Sequence, residues 1–416
     1  MLSTHGGEVY RGGEVAARGA IRRTNVSAVL RLLRKHGPQS RTEIAATFGL
    51  PNSTVSKLVA ELLDLGLVTG GEARRAGSIG RPQQAVTLRS GALCGLGVEI
   101  SVNYVRAIAL DLPGDVLLDR RVPVEHDRTD HRATLRLAAE LIAAAVAQLH
   151  GSGSTVAGVT VAVPGQVDPG TGVVTLAANL GWTRLPIAAE LSAELTDRLG
   201  PGTPPVRVDN DARLGAVAEH CLAPVPDLLY VTGEVGVAGG LIINDTLVRG
   251  AGGFAGEIGH MPLDPDPRPC ACGRRGCWET MVGLPAFLRY AAEESDPVRD
   301  PHGDLEERLT VLGSRGDRRT VAAIGRLAAD LGTGIGLLVN VLDPRLVILG
   351  GYFSYLGDAL LERVRAEVTD RVLAPQAGGC ELRLSGLGFT SAARGAAETV
   401  LERVFQDPAE APTPAR

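Results

Sequence analysis

The chain predicts a two-part protein. A small basic head of short helices and a strand hairpin precedes a larger α/β body made of two related lobes. Three observations carry this. The texture changes near Ala92, from helical periodicity to β-rich runs. Beyond that point a strand triplet followed by alternating helices and strands occurs twice, the pattern of a duplicated α/β unit with a cleft between its halves. The charge divides at the same place: twelve Arg or Lys stand against four Asp or Glu between Arg18 and Arg89, whereas 29 stand against 41 from Ser90 onward, within a chain of 416 residues and net charge −5.

In the head, residues 1–20 are glycine-rich and aperiodic and read as disordered. A first helix is expected from Asn25, with Val26, Val29, Leu30 and Leu33 at helical spacing and Gly37-Pro38 as its stop. Ser40 and Glu43 form the S-x-x-E signature of a capping box, opening a second helix that turns Ile44, Ala45 and Phe48 inward. Gly49-Leu50-Pro51 makes a tight turn, and a third helix starts at Asn52 or Ser53 with Val55, Leu58, Val59 and Leu62 on one face. Helix, glycine-containing turn, helix is the helix-turn-helix arrangement. Asn52, Ser53, Thr54, Ser56 and Lys57 then stand where a recognition helix places its base and phosphate contacts. Strands near 65–69 and 85–88 flank a basic loop and make a wing; Arg81, between Gly80 and Pro82, suits a narrow minor groove. The head is thus expected over residues 21–90 as a winged helix-turn-helix that binds double-stranded DNA. The bland alternative is a three-helix packing module with a solvated basic face.

In the body, strands are expected at 93–100, 104–110 and 116–124, a helix at 135–149, a strand at 156–163, a helix at 187–199, a short strand at 206–208 and a helix at 212–221. The order restarts with strands at 228–232, 238–243 and 246–249, and continues with strands at 346–349 and 382–384 and helices at 358–371 and 391–404. The body spans 91–406, with lobes near 91–225 plus the C-terminal helix and 226–390. Residues 295–319 read as a surface loop or partly helical insertion, and 407–416 as a flexible tail. The composition, 44% hydrophobic and 21% charged, is ordinary for a globular protein. No apolar run approaches the ~18 residues of a membrane span, and the N-terminus lacks the order of a signal peptide. These features imply a cytoplasmic protein with no membrane contact. Six cysteines are too few for a disulfide scaffold in a chain of this length.

Three of those cysteines lie in one segment, GEIGHMPLDPDPRPCACGRRGCWE, from Gly256 to Glu279. His260, Cys270, Cys272 and Cys277 make a four-coordinate structural zinc set, with glycines allowing the turns that aim three sulfurs at one ion. No position remains open for a hydrolytic water. Three reduced buried cysteines are the alternative.

This segment resembles the signature of the ROK family, the repressors, open reading frames and sugar kinases. So do VAVPGQVD at 161–168, AANLGW at 177–182, DNDA at 209–212 and VILGGY at 347–352. The likeness runs from about Leu93 to Val404 and, with the N-terminal head, is to the repressor branch. It implies an actin-like, two-lobed, sugar-kinase-like fold and a sugar site between the lobes. Asn179, Asn210, Asp211, Glu257, His260 and Glu279 fall on positions that contact sugar hydroxyls in the family. Asn210 and Asp211 also suit a turn or helix N-cap before Ala212. His260 would serve twice, one nitrogen on zinc and the other toward the sugar.

Kinases of the family hold ATP phosphates on two Gly/Thr-rich turns. Here those turns read Glu99-Ile100-Ser101-Val102-Asn103 and Glu234-Val235-Gly236-Val237-Ala238-Gly239-Gly240. Ser101 and Val102 put side chains where backbone must approach phosphate, and Glu234 adds a negative charge. The resemblance therefore implies no enzymatic activity. It implies a sugar-responsive transcriptional regulator, a repressor of carbohydrate genes, acting as a homodimer or homotetramer on a palindromic operator. An ATP-dependent sugar kinase carrying a DNA-binding head is the alternative.

Overall fold

The computed structural model describes residues 7–74, 83–124, 130–300, 303–373 and 380–414. The head contains α1 (Gly7–His36), β1 (Gln39–Ser40), α2 (Arg41–Phe48), α3 (Asn52–Asp64), β2 (Val68–Arg74) and β3 (Gln83–Leu88). The capping box forms as expected: Ser40 Oγ accepts from the Glu43 amide at 3.2 Å, and Glu43 Oε2 accepts from the Ser40 amide at 2.6 Å. Gly49 closes α2 in the left-handed conformation, φ 63°. Val55, Leu58, Val59 and Leu62 are buried in α3.

Two features of the head differ from the sequence expectation. α1 starts at Gly7, so Asn25 lies within a helix rather than at its cap. No proline precedes Pro38, and the alanine-rich stretch around Ala16, Ala17 and Ala20 offsets the helix cost of the glycines, about 1 kcal/mol each. The wing has a third strand, because β1 pairs antiparallel with β3 (Gln39 with Val86, Ser40 with Ala85). Arg81 and the tip of the wing lie outside the described residues.

The body opens with β4 (Leu93–Ile100), β5 (Tyr104–Asp111), β6 (Val116–Pro123), α4 (His131–Gly151) and β7 (Thr155–Val163). A small antiparallel insert follows, β8 (Gln166–Asp168), β9 (Val173–Ala177) and β10 (Trp182–Leu185), then α5 (Ile187–Leu199), β11 (Val206–Asn210) and α6 (Asp211–Leu222). The second half comprises β12 (Leu228–Gly233), β13 (Val237–Ile243), β14 (Thr246–Leu247), α7 (Glu279–Val282), α8 (Leu284–Ala291), α9 (Leu305–Ser314), α10 (Arg318–Leu342), β15 (Leu346–Gly351), α11 (Gly357–Thr369), β16 (Glu381–Leu384) and α12 (Ser391–Gln406). Its two five-stranded sheets have the same topology. The first runs β11-β7-β4-β5-β6 and the second β16-β15-β12-β13-β14. In each, a meander of three antiparallel strands is extended by two parallel strands from later in the chain. This is the duplicated, two-lobed arrangement the strand pattern predicts.

The lobes exchange their last helices. α6 leaves the first sheet and packs on β12 and β13, whereas α12 leaves the second sheet and packs on β4, β5 and β7; the two helices cross. The crossing is close because its contact points lack side chains. A methyl group on Gly97 of β4 would overlap the Ala393 carbonyl, and one on Gly395 would overlap the Leu214 carbonyl. Residues 305–314 form α9, whose Leu305, Leu309 and Leu312 join the second lobe's core, so the charged segment is built into the fold. α10 is long and apolar enough by composition to cross a membrane, with a mean hydropathy of 1.4, but 56% of that window is buried inside the protein, as in a core helix.

Head and body share one core. Val29, Leu30, Leu33, Ile44, Val59 and Leu62 of the head cluster with Ala397, Leu401, Val404 and Phe405 of α12 and with Ile108 and Leu110 of β5. Polar contacts reinforce the seam: Arg34 donates to Glu398 at 2.7 Å and Arg31 to Glu402 at 2.7 Å. The tail also differs from expectation. Ala411 packs on the same core, and Pro414 is buried with its ring beside Gly66, 3.5 Å from where a side-chain carbon there would stand. A short run of prolines and alanines docks through apolar contact rather than by periodic structure, so helical or strand spacing does not reveal it.

Gly97→Ala is expected to destabilise the protein by about 2–3 kcal/mol, because neither the strand nor the helix backbone can yield to the added methyl. Urea unfolding should show a lower midpoint with an unchanged slope.

Candidate effector cleft and metal-donor cluster

A cavity of about 420 Å³ lies between the lobes. It gathers Asn179, Asn210, Asp211, Glu257, His260 and Glu279, from four separate parts of the chain, onto one lining. Its volume falls within the range of small-molecule pockets. The N-terminal turn of α12, through Ser391 and Ala392, completes one wall. Arg274, Gln166 and Phe389 also line it; Arg274 and Gln166 lie within the quoted motifs but were not singled out, and Phe389 lies outside them.

Asn210 and Asp211 stand where β11 ends and α6 begins, on the lining of the cleft, and the capping reading of the pair holds. Asn210 caps α6, its Oδ1 accepting from the Arg213 amide at 2.9 Å. Its side-chain amide donates to the Gly165 carbonyl at 3.0 Å and to Asp211 Oδ1 at 2.9 Å. Asn210 therefore spends its hydrogen bonds orienting Asp211 and the Gly165 turn. Asp211 Oδ1 also accepts from the Ala212 amide at 2.7 Å. Burial, and next the negative charge of Glu234, push the Asp211 carboxyl up to about 7. Behind the pair, Asp209 is locked by the buried Arg213, whose Nη2 lies 2.6 Å from Asp209 Oδ1 and whose Nη1 reaches the Gly253 carbonyl.

The opposite wall begins with a 3₁₀ turn, Ile258–His260. Gly256 precedes it with φ 100°, and the Gly239 amide donates to the Gly256 carbonyl at 2.8 Å. The His260 ring faces two ways. Nε2 lies 3.7 Å from Glu257 Oε2 toward the cavity, and Nδ1 lies 3.8 Å from Cys270 Sγ. The cysteines sit on a tight loop closed by the bridges Pro262–Cys277 and Pro269–Arg275. Asp264 pins its base by accepting from Arg268 Nε at 2.8 Å and from the Asp266 amide at 3.1 Å. The buried Trp278 ties the loop to α10 through Nε1 and the Asp330 carbonyl, 2.9 Å.

One donor atom from each of His260, Cys270, Cys272 and Cys277 lies within 4.8 Å of all the others, so this group could hold a metal ion. The spacing fits such an ion. Two thiolates ~2.3 Å from one tetrahedral centre lie about 3.8 Å apart; Cys272 Sγ and Cys277 Sγ are 3.6 Å apart. All four residues fall within the sequence-predicted segment. Glu279 faces both sites: its Oε1 accepts from the Cys270 thiol at 2.7 Å, and its Oε2 is turned toward Gly236.

At the far end of the cleft, the two turns that resemble phosphate loops are bonded to each other. Ser101 Oγ donates to Glu234 Oε2 at 2.7 Å. The Tyr104 hydroxyl lies 3.1 Å from Glu99 Oε1 and 3.3 Å from Glu234 Oε1. Burial raises both glutamates above the usual carboxylate range, and the charge of Glu234 raises Glu99 further. Three carboxyl groups, Glu99, Glu234 and Asp211, thus occupy the end where a triphosphate would need cationic or amide donors.

The residues expected to contact DNA stand at the start of α3. Asn52, Ser53, Ser56 and Lys57 are exposed in its first turns, and Thr54 is half-buried. Pro51 occupies the N-cap, so no side chain is committed to capping the helix.

The Asp211 carboxyl sets a pH dependence. Its folded-state value, about 7, lies above the ordinary value near 3.8, so the folded chain favours the protonated form. That contribution to stability is complete below the unfolded value and is lost as pH rises through about 7. Asp211→Asn should flatten the fall in stability between pH 5 and 8, gaining on the wild type as pH rises; urea unfolding midpoints across that range measure it.

Comparison with known proteins agrees with this geometry. The ROK family model matches residues 95–403, and the IclR helix-turn-helix domain model matches residues 24–70. The xylose repressor of Caldicellulosiruptor bescii is 28% identical over 400 residues, covering 93% of this chain and 98% of the relative. The glucokinase of Halalkalibacterium halodurans is 29% identical over 306 residues, covering 70% of this chain and 90% of the enzyme. A solved ROK family transcriptional regulator, a homologue of the Escherichia coli MLC protein, superposes with a TM-score of 0.74 at 23% identity, over 94% of this chain and 98% of its own. With a two-lobed body, the His/Cys loop and a family match spanning most of its length, the chain belongs to the ROK family.

Proposed function

We propose that this chain is a sugar-responsive transcriptional repressor, whose head holds operator DNA until a sugar occupies the cleft. The observation that carries the reading is the course of α12. Its first turn lines the cavity through Ser391 and Ala392, and its last turns lie in the head core through Val404 and Phe405. A ligand that shifts the lobes acts directly on the helix that seats the head. The end-to-end similarity to proteins named xylose repressor supports the same assignment.

In this reading Asp211, Glu257, His260 and Glu279 bind sugar hydroxyls, with Asn179 beside them and Asn210 orienting Asp211. Carboxylates accept and an imidazole nitrogen donates or accepts, so the set can read the direction of each hydroxyl. Zinc held by His260 Nδ1 and the three cysteines would fix the tautomer and orientation of the ring that faces the sugar. Asn52, Ser53, Thr54, Ser56 and Lys57 contact the DNA, and Arg81 enters the minor groove. A homodimer or homotetramer would place two heads on a palindromic operator in the cytoplasm. If the DNA-competent lobe arrangement binds sugar less tightly, occupancy shifts the population off DNA by the difference in affinity. ATP-dependent phosphorylation is not part of the proposal, because Glu99 and Glu234 fill the phosphate end of the cleft.

Gel shifts on the cognate promoter over a panel of pentoses, hexoses and their phosphates test this. One sugar should weaken operator binding, with the response abolished in Asp211→Ala. No response to any sugar, or Asp211-dependent ATP turnover, would contradict the proposal. Cys272→Ser is expected to lose bound zinc and the sugar response; elemental analysis beside the gel shift checks both, and a zinc-free variant with a full response would remove the metal from the mechanism.

A further inference from the structure

A second concave site lies on the outer side of Asp209, away from the cleft. It has a volume of about 290 Å³ and its lining includes Thr160, Arg207, Asp209, Arg249, Thr399 and Arg403. Three guanidiniums reach it from three separate elements: Arg207 from β11, Arg249 from the segment after β14, and Arg403 from α12. Among the described residues of the lining, Asp209 alone carries the opposite charge, and it is already engaged. Its Oδ1 takes Arg213 Nη2 at 2.6 Å and the Asn210 amide at 2.8 Å, and its Oδ2 takes Arg249 Nη2 at 3.1 Å. Neither Arg207 nor Arg403 has a side-chain hydrogen bond or ion pair with any described residue.

Such crowding of like charge is unfavourable unless something offsets it. Desolvation, and then the positive charges of Arg207 and Arg249, hold the Arg403 guanidinium down at about 10. A planar guanidinium fork matches a tetrahedral oxyanion by paired N–H···O bonds, and several forks around one concavity are the usual composition of a phosphate site. At the wall the Thr399 hydroxyl donates to the Ala396 carbonyl at 2.7 Å and lies 3.1 Å from that of Thr160, which leaves the Thr160 proton as a neutral donor. The volume suits a phosphate group with a small attached skeleton.

We propose that this pocket binds a small phosphate-bearing metabolite, through Arg207, Arg249 and Arg403. The site is distinct from the sugar cleft and does not depend on the sugar reading. It is nevertheless connected to it. Asp209 is followed directly by Asn210 and Asp211, and the Arg213 that locks Asp209 also holds the Gly253 carbonyl, three residues before Gly256. An anion that draws Arg249 off Asp209 would loosen the support of both cleft walls, and Arg403 carries the same event into α12.

Inorganic phosphate is the first probe and a hexose 6-phosphate the second, each against chloride at equal ionic strength. Thermal unfolding of the wild type should rise by several degrees with phosphate. Calorimetry should give about tenfold weaker phosphate binding in Arg403→Gln, since a charge-assisted, paired contact is lost. The Arg207→Gln/Arg403→Gln double variant should lose the phosphate shift yet match or exceed the wild-type melting temperature in chloride, because like charges have been removed. Tighter binding of the hexose 6-phosphate than of phosphate identifies an esterified ligand; equal binding identifies the free anion, and either supports the site. No phosphate-specific shift in the wild type, or an equal shift in the double variant, overturns it. So would a double variant that loses affinity for duplex DNA while the wild type shows no phosphate-specific shift, which would assign the guanidiniums to the nucleic-acid backbone.

Discussion

The contact between α12 and β4 is the constraint on which the rest of the molecule depends. Gly95 and Gly97 let a helix backbone lie almost directly on a strand, and Gly395 lets α6 cross that helix at equally close range. Protein interiors transmit displacement because they are close-packed and resist compression. A helix seated this tightly cannot slide or tilt without moving the sheet beneath it and the helix above it. Since α6 starts at Asp211 in the cleft and α12 ends among the head helices, the crossing joins the ligand site to the DNA-binding module by continuous packing.

The same geometry accounts for the fate of the phosphate turns. In this chain the turn after β4 and the turn between β12 and β13 meet through Ser101, Tyr104 and Glu234, across the two lobes. Further out, Arg121 reaches Asp304 at 3.0 Å and Arg106 reaches Glu306 at 3.3 Å, again from one lobe to the other. Side chains that bond one lobe to the other stand where backbone would have to approach a nucleotide. A cleft beside such a junction is suited to sensing a ligand rather than to transferring a phosphoryl group.

Much of this was legible in the sequence. The S-x-x-E pair, the Gly49 turn and the polar face of α3 were each local, and local chemistry survives folding. The six cleft residues were legible only through the family resemblance of their motifs, since Asn210 and Asp211 by themselves equally suit the helix cap that Asn210 forms. The His/Cys set could be read from spacing alone. What could not be read was contact between distant segments. The C-terminal helix was expected with the first lobe, but the passage of α6 onto the second sheet leaves no periodic trace, and neither does the docking of Pro414 beside Gly66. Ser101, Val102 and Glu234 stood out only as departures from a glycine-rich pattern, without any sign that Glu234 would share Tyr104 with Glu99. Arg207, Arg249 and Arg403 are ordinary surface arginines in sequence, and only the fold sets them around one aspartate.

The central claim is that occupancy of the cleft reaches the head through α12. Amide hydrogen exchange on the full chain, with and without the sugar that weakens operator binding, addresses it without DNA present. The account predicts altered protection in the first turn of α12, in its last turns around Leu401 to Phe405, and in the α1 and α3 residues packed on them. Protection that changes only around Asp211, Glu257 and His260, while the sugar still releases the operator, would contradict it.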